Sequence, residues 1–312
     1  MSRSVWLAHI IRHDDRTTTG VWGVYTLKSA FQPIFGFHDG KLTVDAFEGL
    51  IRPDRNGDSV SPDTFFRSIP AGDRLHVETL TRTLHLLNAG AFLDPATQLF
   101  INFDPSIFGE RDIAEIALRD MRLTLHEAGI DPRRVVCEVT EQKTNSQQAL
   151  NGFVAALRDH GLRIAVDDYG AEDSDMERVT ALKPDIVKFD AQWITRLMDS
   201  RPGFALLKVM VDQFAARGIK TVFEGIEEPW QLELAEESGA HMVQGYILAR
   251  PEIAPTSFSS FRREGETPAA RQPYSHDNHT AVHGGEAPGF GDRPALRSAV
   301  PVRKTFGRRP SR

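Results

Sequence analysis

Cysteine is almost absent from this chain. Of 312 residues only Cys137 carries a thiol, and it sits inside the apolar run VVCEV. That excludes an internal disulfide framework and any thiolate set for zinc or redox chemistry, and it fits a reducing cytoplasm. Long apolar runs are also missing. The stretch from Val5 to Ile11 is too short and too interrupted for a membrane span or a secretory leader, so no membrane span is expected. Basic charge is in deficit as well: 37 Lys and Arg stand against 43 Asp and Glu, a formal net charge of −6. A protein that holds a nucleic-acid duplex needs a clustered basic surface, so that class is set aside. A small anionic ligand is not excluded, because a pocket can be locally positive or filled with metal.

What is present reads as a globular domain, with 40% hydrophobic and 26% charged residues. Eight short runs rich in β-branched and aromatic residues recur along the chain: AFQPIFGF, LTVDAFEGLIR, QLFINFD, RVVCEVTE, RIAVDDYG, IVKFD, KTVFEGIE and MVQGYILA. Between most of them lie segments with helical spacing, such as ETLTRTLHLLNAGAF and GFALLKVMVDQFAARG. This alternation predicts an α/β fold, a TIM-like (β/α)8 barrel, with a doubly wound open sheet as the alternative. The first two runs are joined by GFHDGK, which is a hairpin connection and not a crossover, so one strand of the barrel should be antiparallel. We expect an N-terminal extension over 1–21, the barrel domain over 22–262, and a disordered tail over 263–312. The tail is rich in Pro, Gly, Ser and His without apolar periodicity, and its charges after Asp292 are all positive. His276, His279 and His283 read as tail residues, not metal ligands.

Active sites of this fold lie at the carboxyl ends of the strands. There the sequence places Gln32 in the first run, then Glu48 with Arg52, Asn102, Glu138 with Glu141, Asp167 with Asp168, Lys188 with Asp190, Glu224 with Glu227, and Gln244. Glu48, Glu138, Asp167, Asp168 and Glu224 converging on one mouth are like charges that cannot all stay ionised without cations or large pKa shifts. Oxygen ligands without His or Cys favour hard ions, Mg²⁺ or Mn²⁺, over Zn²⁺. Five carboxylates exceed the needs of one ion, which suggests two ions with Asp167 as the bridge. Paired metals are a common solution for phosphodiester hydrolysis. Asp168 cannot share the strand direction of Asp167, but where the strand breaks into a loop it can turn to the second ion.

The stretches FQPIF, FEGLIR, INFDPS, EVTE, DDYG, PDIVKFD, FEGIE and QGYILARP, in this order, resemble the EAL domain family of bacterial cyclic di-GMP phosphodiesterases. The resemblance spans about residues 25–258. It implies a TIM-like barrel with an antiparallel strand, two Mg²⁺ or Mn²⁺ ions, hydrolysis of cyclic di-GMP to linear pGpG, and a homodimer. Carried over by position, it implies that Glu48, Asn102, Glu138 and Asp167 hold one ion, and Asp167, Asp168 and Glu224 the other. Lys188 would position or activate the attacking water, Gln32 and Arg52 would grip the substrate, and Gln244 would orient the water or ligand. Glu224 or Lys188 would serve as general base. Glu141, Asp190 and Glu227 would support the ligands from behind, Glu141 by tying down the loop after Asp168.

Two positions depart from the family pattern. Gly49 stands where Ala is usual in the signature, and the loop after Asp168 reads DYGAEDSD in place of the common DFGTGYSS. The altered loop keeps a second reading open, a cyclic di-GMP receptor or protein-interaction module with little turnover. A third, a metal-dependent barrel enzyme using Lys188 to abstract a proton, explains the acids but not FQPIF or QGY. No companion sensor or cyclase domain is recognisable, so a separate regulatory protein is a possible partner.

Overall fold

The computed structural model describes residues 8–104, 111–139, 147–171, 179 and 182–258. Glu141, the acids between Glu172 and Glu177, and His276, His279 and His283 lie outside the described residues.

Eight strands close into a barrel: β3 (Tyr25–His38), β4 (Lys41–Arg55), β6 (Gln98–Phe103), β7 (Val135–Val139), β8 (Arg163–Tyr169), β9 (Ile186–Phe189), β10 (Lys220–Phe223) and β11 (Met242–Val243). They coincide with the eight runs read from sequence. From β4 round to β11 each neighbouring pair is parallel, and β3 runs antiparallel to both β4 and β11. The expected hairpin joins β3 to β4, with His38 opposite Lys41. Its two turn residues, Asp39 and Gly40, have φ of 49° and 71°, and positive φ at both positions matches the right-handed twist of the strands it joins. Helices α2 (Arg74–Phe92), α3 (Arg111–Ala128), α4 (Gln147–Asp159) and α6 (Arg201–Ala215) lie between barrel strands, α2 and α6 on the two periodic segments quoted above.

Further elements were not evident in the sequence. Strands β1 (Ala8–Arg12) and β2 (Thr18–Trp22) form a hairpin that adds to β3, within the segment read as an extension. Helices α1 (Pro62–Ser68), α5 (Ala191–Met198) and α7 (Pro229–Ser238) are short, and β5 (Asp58–Ser59) and β12 (Glu252–Ile253) shorter still. Strands β3 and β4 are 14 and 15 residues long against four to seven for β6 to β10. Their surplus length carries β1, β2 and α1 on a separate apolar cluster that includes Leu27, Ile51, Phe65 and Leu84.

Strand side chains alternate between two faces, and here each face has its own core. Outward residues such as Leu99, Cys137, Ile164, Val187 and Phe223 pack with helix residues Leu118, Phe153, Leu207 and Phe214. Inward, one apolar layer fills the lumen: Ile34, Ala46, Phe100, Val136, Ala165, Ile186, Val222 and Met242, one from each barrel strand. Among the described residues no helix is long and apolar enough to cross a membrane.

Candidate functional site

One alternation beyond that apolar layer, at the carboxyl ends of the parallel strands, every lumen-facing position is polar. Counting two residues on from Ala46, Phe100, Val136, Ala165, Ile186, Val222 and Met242 reaches Glu48, Asn102, Glu138, Asp167, Lys188, Glu224 and Gln244. On the antiparallel β3 the count runs backwards, from Ile34 to Gln32, which lies opposite Glu48. Strand period and a closed sheet therefore bring eight residues, scattered from 32 to 244, to one ring above a dry floor.

Lys188 is at the centre. Its Nζ contacts Glu138 Oε1 and lies 2.6 Å from Glu224 Oε1, 3.2 Å from Asp167 Oδ1 and 3.9 Å from Glu48 Oε1. The side chain is only 1% exposed. Burial by itself favours the neutral amine, but Asp167, Glu138, Glu224 and Glu48 together hold its pKa well above the usual lysine range. One ammonium cannot balance four carboxylates. Burial, reinforced by Glu48 and Asp167 against the opposing pull of Lys188, pushes Glu138 well above the ordinary carboxylate range. Burial likewise takes Glu224 to about 8, with Asp167 and Glu48 again adding to it against Lys188. The cluster without cations is a site that takes up protons because it lacks positive charge.

A divalent metal fits that deficit. Asp167, Asp168 and Glu224 each offer an oxygen, and the three lie within 4.8 Å of one another. Glu138 Oε2 and Gln244 Oε1 are buried with no hydrogen-bond partner among the described residues. Buried oxygens of this kind are costly unless something coordinates them. The ring supplies neither thiol nor imidazole, the donor chemistry of hard ions such as Mg²⁺, Mn²⁺ or Ca²⁺.

The paired aspartates reach the same space through a break in β8. The register against β9 slips between Val166 and Tyr169, and Asp168 has φ of 57°, a left-handed conformation that Asp tolerates better than most residues. The turn is held by Ala171 N–H donating to Asp168 O at 3.1 Å and by Tyr169, buried edge-on against Phe189, Trp193 and Phe214. A regular strand would send Asp168 to the outer face; the bulge brings it back to Asp167 and Glu224.

Gln244 Nε2 donates to Glu48 Oε2 at 2.8 Å, and Gln32 Nε2 donates to Ala249 O at 3.3 Å. Thus Gln244 orients a carboxylate and Gln32 ties down the segment after β11. Arg52, two further alternations along β4 from Glu48, is half-buried and donates to Ile51 O at 2.9 Å. Together with Asn102, Glu138 and Gly49 it lines a cavity of about 370 Å³ that extends from the ring toward α1 and α2.

Two residues expected near the site sit further out. Asp190 accepts from Trp193 N–H at 2.8 Å and caps α5, so it fixes the chain after Lys188 and does not join the ring. Glu227 is exposed, and its backbone N–H donates to Gln231 Oε1 at 2.8 Å. The sequence reading missed α2's contribution to the cavity, Glu78, Arg82 and His85. Arg82 is 5% exposed, 4.6 Å above the Phe103 ring and paired to Glu78 at 3.3 Å. Its signal was legible: Arg82, His85 and Asn88 interrupt the buried apolar face of α2 at three-residue spacing.

Residues 25–251 match the model of the EAL domain. The EAL-domain containing protein YkuI of Bacillus subtilis is 29% identical over 224 residues, covering 71% of this chain and 54% of that protein. The cyclic di-GMP phosphodiesterase RocR of Pseudomonas aeruginosa is 30% identical over 181 residues, 57% of this chain and 45% of RocR. The chain thus spans about half the length of these relatives. The structure of YkuI in complex with cyclic di-GMP and calcium superposes with a TM-score of 0.64 at 26% identity, covering 72% of this chain and 56% of that one. The calcium and cyclic di-GMP complex of BlrP1 from Klebsiella pneumoniae gives 0.63 at 28% identity, over 73% and 56%.

Proposed function

The chain belongs to the EAL domain family, and from that membership we propose that it hydrolyses cyclic di-GMP to linear pGpG with the help of divalent cations. The observation that carries the reading is the ring itself: four carboxylates on one buried lysine, above an apolar floor, at the end of a barrel where such chemistry is housed. Relatives named as cyclic di-GMP phosphodiesterases, and similar structures that hold cyclic di-GMP with calcium or manganese, support the substrate and the need for divalent metal.

Glu48, Asn102, Glu138 and Asp167 would hold one ion, and Asp167, Asp168 and Glu224 the other. Mg²⁺ or Mn²⁺ bound there supplies two things, a lowered pKa for the attacking water and neutralisation of charge developing on phosphoryl oxygens. The chain's own groups do the rest. Lys188, kept protonated by its four carboxylate neighbours, is a donor that orients water and holds the carboxylates in place. That leaves Glu224, whose carboxylate lies 2.6 Å from the Lys188 ammonium, as the base. Arg52 binds a phosphate by charge-assisted hydrogen bonds, and Gln32, opposite Glu48 on the facing strand, offers an amide to the same ligand. Gln244 keeps Glu48 turned into the ring.

The test is pGpG formation from cyclic di-GMP by the purified chain with Mg²⁺ or Mn²⁺, beside Glu48→Ala. Product that requires the metal and disappears in the variant supports the proposal. Ligand binding without product under either ion would replace it with the receptor reading.

A further inference from the structure

The residue after Glu48 is Gly49, where the family usually carries a methyl group, and the fold shows what stands in that space. A Cβ built on Gly49 would lie 3.0 Å from Cγ and 3.2 Å from Cβ of His85, tighter than ordinary van der Waals contact. The imidazole is held from the far side. His85 is 4% exposed, and its Nδ1 is 3.0 Å from Ser29 Oγ, itself buried. Asn88 Nδ2 is 3.3 Å from the same Ser29 Oγ, and Asn88 also makes 2.9 and 2.8 Å hydrogen bonds with the backbone of Thr18 on β2. Phe31, the cross-strand partner of Gly49, meets the His85 ring edge-on with centroids 6.3 Å apart. A chain of buried polar contacts from β2 through α2 and β3 therefore ends on the backbone of β4, one residue past Glu48.

That is where backbone path matters. A glycine inside a strand has neither a side chain to pack nor the restricted φ and ψ of other residues, so its conformation must be imposed from outside. We propose that His85 is a positioning residue for Glu48. Its ring, braced by Ser29 and Asn88, takes the place of the missing methyl, sets the course of β4 at Gly49, and so aims the Glu48 carboxylate at the cation site. The inference rests on the reading of Glu48 as a cation ligand. Burial, aided by the positive charges of Arg52 and Arg82, pushes the His85 pKa down to about 3, so the ring that braces the strand is neutral at physiological pH.

The experiment follows three quantities in the full chain: Mn²⁺ affinity by calorimetry, the side-chain amide resonance of Gln244, and Tm. The Gln244 amide donates to Glu48 and reports its position without any metal; the peak is assigned by its loss in Gln244→Glu. His85→Ala should weaken Mn²⁺ binding about tenfold, as loss of support behind a ligand does, and shift the Gln244 amide. Adding Gly49→Ala to it should return most of both, because the methyl fills the vacated space. A fall in Tm with Mn²⁺ affinity and the Gln244 resonance unchanged would overturn the proposal, and so would a double variant that recovers neither. If the unaltered chain binds no Mn²⁺, the proposed function falls, and the Gln244 resonance alone decides the role of His85. Should His85→Ala not fold, Gly49→Ala alone must move the same resonance; an unmoved peak refutes the positioning.

Discussion

Gln244 and Glu48, 196 residues apart in the chain, are joined by a 2.8 Å hydrogen bond at the barrel mouth, from β11 past β3 to β4. Both lie one alternation above the apolar layer, and Glu48 Oε2 accepts from the amide while its Oε1 faces Lys188. Gln244→Ala removes the donor and lets the carboxylate turn. The expected result is a loss of about 10- to 100-fold in kcat for cyclic di-GMP with KM little changed. Steady-state kinetics beside a thermal melt will check it; an equal loss in KM would point instead to substrate contact.

Lys188→Met replaces the cluster's ammonium with an apolar chain of similar length. The carboxylates of Glu138, Glu224, Asp167 and Glu48 then lose their shared counter-charge. Stability in EDTA should fall by about 3–5 kcal/mol, the usual consequence of stranding buried charge. Urea unfolding with and without Mn²⁺ measures this, and the metal should return part of the loss. A variant as stable in EDTA as the parent would show that the carboxylates simply take up protons at little cost.

Asp168→Asn separates charge from backbone shape. Asn accepts the left-handed φ of 57° as readily as Asp, so the bulge in β8 should survive and Tm should stay within a few degrees. Mn²⁺ affinity should nevertheless drop, because one carboxylate of the Asp167, Asp168 and Glu224 group is gone. Calorimetry will show whether affinity falls; an unchanged value would remove Asp168 from the ligand set.

His85 makes the fold acid-sensitive. Its pKa in the folded chain, about 3, lies below the unfolded value near 6.5, so the unfolded state binds more protons as pH falls. The contribution is fully present above about pH 6.5 and is lost as pH drops toward 3, the loss reaching about 2 kcal/mol at pH 5. Urea midpoints at pH 7 and pH 5 should diverge less in His85→Gln than in the parent. An equal divergence would place the acid sensitivity elsewhere.

The fold was legible because its signals are local. Eight short strands announce themselves by β-branched and aromatic content, and the hairpin by Asp39-Gly40, both at positive φ. Strands β1 and β2 carried no comparable signal. HIIR and TTGVW are short and half-polar, and they become strands because β3 outruns the barrel and offers an edge for pairing. Helix α2 was recognised, yet the purpose of Arg82, His85 and Asn88 on its buried face was not. Their partners, Phe103, Gly49 and Thr18, are far away in sequence.

Residue type and strand period determined, without coordinates, that polar groups end every barrel strand and that carboxylates dominate them. They could not determine which groups touch. That Lys188 meets four acids, that Gln244 holds Glu48, and that His85 occupies the space beside Gly49 depend on barrel closure and stagger. Those are properties of strands pairing across the whole chain, and only the tertiary structure expresses them.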